Sequence, residues 1–229
     1  MKIAHLQKTS LIEYPGKISA VVFTQGCNLR CPYCHNPELV EKGLFSKPVD
    51  ENEIFTFLEK RKGKLDGIVV TGGEPALQKG LLDFMRKIKD MGFLIKLDTN
   101  GTLTNVLEDV TERQLADYIA MDIKGPANKY PEIAGTPVNM DSIFKSIQLI
   151  MDSGIDYEFR TTWATEQLSA EDIIKIAMMI KGAKRFALQR FNPSKHLNPA
   201  MLNSHPPLED IIRKAADAAR ELVRECIVR

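Results

Sequence analysis

Three cysteines fall within eight residues of one another in the run Gly26-Cys27-Asn28-Leu29-Arg30-Cys31-Pro32-Tyr33-Cys34-His35-Asn36-Pro37, a C-x3-C-x2-C spacing. Thiolates delivered this closely can hold three irons of a cubane iron-sulfur cluster, leaving the fourth iron without a protein ligand and open to a small molecule. The competing reading is a structural zinc knot, but a closed tetrahedral site wants four ligands in paired C-x2-C spacing. A fourth ligand is hard to place. Cys226 lies far along the chain near the end of an apparent helix, and His35 adjoins Cys34 too closely to share one ion without strain. Spacing alone leaves both readings open, to be decided by their context.

Other polar groups could serve such a centre. Gly72-Gly73-Glu74-Pro75 follows a β-branched run, and Gly-Gly after a strand is by itself a turn. Beside an open iron, two residues without Cβ let a bound molecule approach the backbone, and Glu74 can steer an ammonium group. Asp98-Thr99-Asn100-Gly101 offers acceptors and donors, and Asp122 with Lys124 an acid-base pair. The bland alternative for each is a cap or a surface ion pair. Arg160, in Glu158-Phe159-Arg160-Thr161-Thr162, is either a guanidinium clamp for a carboxylate or a strand-edge surface residue. His5, His196 and His205 have no ligand-like spacing, while Trp163 and Met178-Met179 read as core or interface residues.

These motifs need a scaffold that aims them at one point. Short apolar or β-branched runs alternate with amphipathic segments, the pattern of parallel strands joined by crossover helices. Six strands are expected: Ile18 to Thr24, Gly67 to Thr71, Phe93 to Leu97, Tyr118 to Ile123, Asp156 to Thr162 and Arg185 to Gln189. Helices are expected over Glu51 to Arg61, Lys79 to Met91, Leu103 to Leu115, Met140 to Ser153, Ala170 to Lys181 and Leu208 to Val228. Asp50 before Glu53 has the arrangement of a capping box, Ser169 before Asp172 offers an N-cap, and Gly92 and Gly154 sit at helix stops. Every chemical motif then follows directly on a strand, so all converge on one mouth, as at the carboxyl ends of barrel strands. Loops that merely connect need only turn chemistry.

The chain has 229 residues, 44% hydrophobic and 27% charged, with a net charge of +1 from 31 basic and 30 acidic residues. That length favours a single domain over 1–229, with a core over roughly 16–192 and a C-terminal helical segment after it. Such a chain buries roughly 70% of its unfolded surface without a structural metal. Balanced charge gives no electrostatic support for nucleic-acid binding, and Lys60-Arg61-Lys62-Gly63-Lys64 reads as a solvated helix end. There is no apolar run long enough for a bilayer and no signal-peptide pattern, so a cytoplasmic location with no membrane attachment is expected. Three cysteines in one motif and one alone form no disulfide framework.

Cys-Asn-Leu-Arg-Cys-Pro-Tyr-Cys-His-Asn with Thr71-Gly72-Gly73-Glu74-Pro75 resembles the radical S-adenosylmethionine (SAM) superfamily. Leu11-Ile12-Glu13-Tyr14-Pro15-Gly16-Lys17, Val22-Phe23-Thr24-Gln25-Gly26, Asp98-Thr99-Asn100-Gly101 and Met121-Asp122-Ile123-Lys124-Gly125-Pro126 resemble the activating enzymes of glycyl-radical enzymes. Among those the chain is most similar to anaerobic ribonucleoside-triphosphate reductase activating proteins, with pyruvate formate-lyase activating enzymes as more distant relatives. The resemblance is close over residues 5–126 and looser beyond.

It implies an α/β fold, a partial (β/α)6 TIM-like barrel with parallel strands and a C-terminal helix. It implies a 4Fe-4S cluster on Cys27, Cys31 and Cys34 as the catalytic and metal-binding centre. It also implies SAM contacts from Tyr33, Asn36, Gly72, Gly73, Glu74, Asp98, Thr99, Asp122, Lys124 and Arg160. Asn192 stands roughly where pyruvate formate-lyase activating enzymes place a histidine, a departure that leaves its role open. The implied reaction is reductive cleavage of SAM, with the electron supplied by a low-potential flavodoxin or ferredoxin. The resulting 5'-deoxyadenosyl radical would take a hydrogen from a glycine of a partner glycyl-radical enzyme. A radical SAM enzyme acting on a small molecule, like 7-carboxy-7-deazaguanine synthase, is the alternative.

Overall fold

The computed structural model describes residues 1–229. One sheet of eight strands follows chain order: β1 (Ile3–Ser10), β2 (Ser19–Thr24), β3 (Gly67–Gly72), β4 (Leu94–Thr99), β5 (Tyr118–Asp122), β6 (Asp156–Trp163), β7 (Phe186–Arg190) and β8 (Cys226–Val228). Pairings from β2 to β8 are all parallel, whereas β1 runs antiparallel to β2. Between the strands lie α1 (Pro37–Val40), α2 (Glu51–Glu59), α3 (Leu81–Asp90), α4 (Thr104–Glu112), α5 (Tyr130–Ala134), α6 (Met140–Asp152), α7 (Ala170–Met179) and α8 (Glu209–Arg220). The sheet does not close, since β1 and β8 are its two edges. This is the α/β part-barrel expected, with β2 to β7 as its six expected strands. No helix is long and apolar enough to cross a membrane.

Two strands, β8 and β1, were not expected. The apparent helix over Leu208 to Val228 ends at Arg220, and the chain turns to form β8 beside β7, so Cys226 is a strand residue. The α8 stripe of Ile212, Ala215, Ala216 and Ala219 is buried at helical spacing, but the β-branched Ile227-Val228 tail gains more by pairing with an open edge than by extending a solvated helix. The second addition is β1 along the opposite edge, a strand whose second half, Gln7 to Ser10, is polar throughout. Capping is likewise mixed. Ser169 and Asp172 complete a capping box at α7, while Asp50 accepts only from Asn52 N at α2 and the Glu53 half of its expected box is not made.

Strand alternation divides the interior into two unequal parts. Side chains such as Val22, Val70, Leu97, Met121 and Phe159 join a core of 52 buried residues between sheet and helices. Those on the concave side include Val21, Val69, Tyr118 and Ala120, which with Tyr14 form a cluster of only five. Above this small apolar floor the concave side carries charge, because Lys96, Asp98, Asp122 and Arg160 share its register, with Asp122 directly opposite Arg160.

Below it, Glu158 is fully buried and held bidentately by Arg229, just past β8, at 2.9 and 2.7 Å. Arg229→Ala strands that carboxylate and is expected to cost on the order of 3 kcal/mol, read as a melting temperature lower by roughly 6–12 °C. Adding Glu158→Gln should recover part of the loss, since an amide is less costly to leave unpaired than a carboxylate. An unchanged melting temperature in Arg229→Ala would show that the clamp contributes nothing.

Candidate active site

The cysteine loop leaves the end of β2 and carries no strand and only the single turn of α1, so its peptide groups find partners elsewhere. At its start Gly26 N donates to Leu39 O at 2.7 Å and Gly26 O accepts from Glu74 N at 2.8 Å. Arg30 N donates to Ala134 O at 2.8 Å. Its guanidinium turns back to donate to Cys27 O and Leu29 O at 2.8 and 2.7 Å. Three successive carbonyls, of Pro32, Tyr33 and Cys34, are covered by the segment after β7: Asn198 N, His196 Nδ1 and Leu197 N donate to them at 3.0, 3.1 and 2.9 Å.

Every residue expected to hold the cluster or to contact SAM lines one cavity at the carboxyl ends of the strands, about 870 Å³ of empty space with its mouth included. Cys27, Cys31, Tyr33, Cys34 and Asn36 form one wall. Gly72, Gly73 and Glu74 stand at the end of β3, Asp98 and Thr99 at β4, Asp122 and Lys124 at β5, and Arg160 at β6. Leu29, His35, Val40, Thr71, Asn100 and Thr162 also line it. Asn192 is exposed and takes no part in the lining.

The thiols stand together on this wall, yet no three His, Cys, Asp or Glu side chains converge tightly enough to hold a single ion. A mononuclear tetrahedral site needs that convergence, whereas separate corners of a cubane accept thiolates set further apart. Burial pushes the Cys27 thiol up to about 12 and raises those of Cys31 and Cys34. All three are therefore neutral at physiological pH until a metal replaces their protons.

The two glycines line the cavity and also meet a packing constraint. A Cβ on Gly73 would run into Gly26 O and approach Leu39 O, so its bareness lets the end of β3 lie directly on the base of the cysteine loop. Gly72, at φ +120°, is similarly closed against Thr24. Glu74 is 1% exposed and ties β3 to β4: Oε1 accepts from Ala76 N and Thr99 Oγ1 at 3.0 and 2.9 Å, and Oε2 from Asn100 N at 2.7 Å. Burial pushes its carboxyl up to about 7 against those three donors. A carboxylate has about four acceptor sites, so one remains for a ligand's ammonium.

Opposite the thiols runs a chain of alternating charge. Lys96 pairs with Asp98 Oδ1, Arg160 Nη1 with Asp98 Oδ2 at 3.1 Å, Arg160 Nε with Asp122 Oδ1 at 2.8 Å, and Lys124 with Asp122 Oδ2 at 3.0 Å. Lys96 is 1% exposed and was not singled out from the sequence. On a strand reading Ile95-Lys96-Leu97-Asp98 it has the pattern of a solvated residue, and only the curl of the sheet turns that face inward. Burial works to raise the pKa of Asp98 and of Asp122, but the Arg160 charge with Lys96 or Lys124 holds both below their ordinary value. Three cations face two carboxylates here, leaving an excess positive charge suited to an anionic ligand group. His196, also missed, stacks on Phe191 at 4.6 Å between centroids.

A family model described as the radical SAM superfamily matches residues 21–180. The chain belongs to the radical SAM superfamily. A protein of Methanocaldococcus jannaschii bearing the name glycyl-radical enzyme activating enzyme is 33% identical, with 96% of this chain and 92% of that protein aligned. The 7-carboxy-7-deazaguanine synthase of Thermococcus kodakarensis is 27% identical over 78% of this chain and 76% of its own. Among solved structures, a domain of pyruvate-formate lyase-activating enzyme from Bacteroides vulgatus shares the fold with a TM-score of 0.57 and 15% identity, over 71% of this chain and 98% of that domain.

The radical SAM superfamily uses a 4Fe-4S cluster with SAM, and the donor set fits that pair. Three thiols supply corners, one wall carries an ammonium acceptor, and the facing wall carries excess positive charge for a carboxylate.

Arg160→Met leaves Asp98 and Asp122 without their shared partner. It is expected to cost on the order of 3 kcal/mol, reduced by the 29% exposure of the Asp122 side chain. Because both folded-state pKa values lie below the unfolded value of 3.8, the network stabilises fully above that pH and is lost as the pH falls. Urea denaturation across this range should therefore show a shallower acid limb in Arg160→Met, with Arg160→Lys recovering only part because one ammonium cannot span both carboxylates. Parallel acid limbs in wild type and variant would count against the network. Gly73→Ala, which forces backbone apart, should destabilise by about 1–3 kcal/mol and lower iron uptake; normal melting and normal iron would show that the close approach is not needed.

Proposed function

We propose that this protein is an activating enzyme that reductively cleaves SAM and installs a glycyl radical on a partner enzyme. An anaerobic ribonucleoside-triphosphate reductase is the first candidate partner. The observation that carries this reading is the meeting, in one cavity, of three buried thiols and a polar wall with both an ammonium acceptor and surplus positive charge. The near full-length likeness to a protein named as a glycyl-radical enzyme activating enzyme supports it.

Cys27, Cys31 and Cys34 would hold the 4Fe-4S cluster. When bound, that cluster supplies an electron to the SAM sulfonium, yielding methionine and a 5'-deoxyadenosyl radical able to abstract hydrogen. The remaining acceptor site of Glu74 Oε2 would take the methionine ammonium, and Arg160 and Lys124 would face its carboxylate. Tyr33, held by the contact from His196 to its carbonyl, would flank the adenine together with Asn36. Asp98, Thr99 and Asp122 supply acceptors at the strand ends for ribose hydroxyls. Arg30 and residues 196–198 keep the loop's carbonyls paired, which holds the cysteine wall rigid. The electron donor in this reading is a low-potential flavodoxin or ferredoxin, and the site of action is the cytoplasm.

A second reading, a radical SAM enzyme for a small molecule, draws on the likeness to 7-carboxy-7-deazaguanine synthase. Anaerobically reconstituted protein should carry iron and sulfide in equal amounts and release 5'-deoxyadenosine with SAM and dithionite. Cys31→Ala should lose both properties. With the candidate reductase present, electron paramagnetic resonance should show a carbon-centred doublet that Cys31→Ala abolishes. Turnover of a free metabolite with no doublet on any glycyl-radical enzyme would favour the second reading, and stoichiometric zinc without sulfide would exclude both.

A further inference from the structure

Behind the cysteine wall lies a second depression, on the outer side of the loop. It is bounded by the start of β1, the residues after β2, the turn following α1 and the turn before α3. Its lining carries four cationic residues, Lys2, Arg30, Lys42 and Lys79, and no carboxylate, in a chain whose overall charge is only +1. Lys2, Lys42 and Lys79 are exposed and none is in an ion pair, whereas Arg30 is committed to the carbonyls of the cysteine loop. Phe45 and the exposed Leu77 add apolar surface beside them. Cys27 lines this groove as well as the active-site cavity, so its residue is the partition between the two.

The other two cysteines offer no comparable approach. Cys31 is buried, and Cys34 lies beneath residues 195–198, where Leu197 N holds its carbonyl. The active-site mouth must stay free for SAM and for the substrate segment. An electron arriving through the groove crosses little more than the Cys27 side chain, and tunnelling rates fall steeply with each added ångström.

We infer that the Lys2, Lys42 and Lys79 groove is the docking surface for an acidic, one-electron carrier protein, which delivers its electron through Cys27. The inference rests on the proposed cluster. In the transfer the carrier is oxidised by one electron and the group held by Cys27 is reduced by one, with no bond made or broken and no proton moved in that step. Three unpaired ammoniums, with the neighbouring Glu41 tied to Arg30 at 3.7 Å, steer an acidic partner and repel a basic one. The attraction is screened over a Debye length of about 10 Å at 0.1 M salt.

The test uses the reconstituted holoenzyme, an acidic flavodoxin as probe, and the triple variant Lys2→Glu/Lys42→Glu/Lys79→Glu, with Lys64→Glu/Lys181→Glu/Lys214→Glu as a control of equal net charge. At low salt the first variant should bind oxidised flavodoxin at least tenfold more weakly than wild type and lose most of the salt dependence of binding. With reduced flavodoxin as the sole donor, the flavodoxin concentration for half-maximal 5'-deoxyadenosine release should rise by a similar factor. Dithionite, which needs no docking, should drive the reaction in that variant at the wild-type rate, and the control variant should resemble wild type throughout. Equal flavodoxin affinity in the groove variant and wild type, equal weakening in the control, or no binding by wild type each overturns the inference. Failure of wild type to cleave SAM with dithionite would instead reject the proposed cluster chemistry, and the binding measurements would still judge the groove.

Discussion

A loop that sets three thiols on one wall can be neither helix nor strand, so every peptide group in it must be satisfied from outside or lie open to water. Segments far apart in sequence converge on this one stretch. The end of β3 presses its bare glycine against Gly26, the end of α5 accepts from Arg30 N, and the chain after β7 donates to three consecutive carbonyls. The second of these contacts again needs a glycine, because a Cβ on Gly135 would overlap Arg30 O. Rigidity of the cysteine wall is thus a property of the whole barrel rim rather than of the motif.

The concave face of the sheet obeys a related constraint. Strands that are apolar toward the helices present lysine, arginine and aspartate toward the cavity, and those charges persist in a confined space only because each carboxylate oxygen meets a cation, with Arg160 shared between Asp98 and Asp122. The result is a preorganised polar wall whose surplus charge matches one carboxylate, facing a wall of thiols that remain neutral until metal arrives. Electrostatics of this kind positions a zwitterionic ligand end without requiring the residues to move on binding.

Much of this was legible in the sequence, for identifiable reasons. The period-two and helical stretches located β2 to β7 and most helices because parallel βα units repeat one simple pattern. The motifs at strand ends were readable because chemistry-bearing residues there exceed what a turn needs. What escaped depends on long-range geometry. Lys96 was not singled out because alternation cannot tell the inside of a curled sheet from its outside. The tail over 226–228 looked helical because the open edge that captures it is forty residues away, at β7. The paired glycines suggested ligand access, and their close packing against Thr24 and Gly26 gave no local signal. His196 gave no signal at all, since its partner Tyr33 O lies on the other side of the chain's path.

Mössbauer spectroscopy of protein reconstituted with isotopically enriched iron, recorded before and after SAM is added, asks whether the three thiols hold a cubane with one corner free. If they do, a single iron site changes its isomer shift and quadrupole splitting on SAM addition while the other irons keep theirs. A spectrum in which no iron responds, or in which all respond alike, would contradict it.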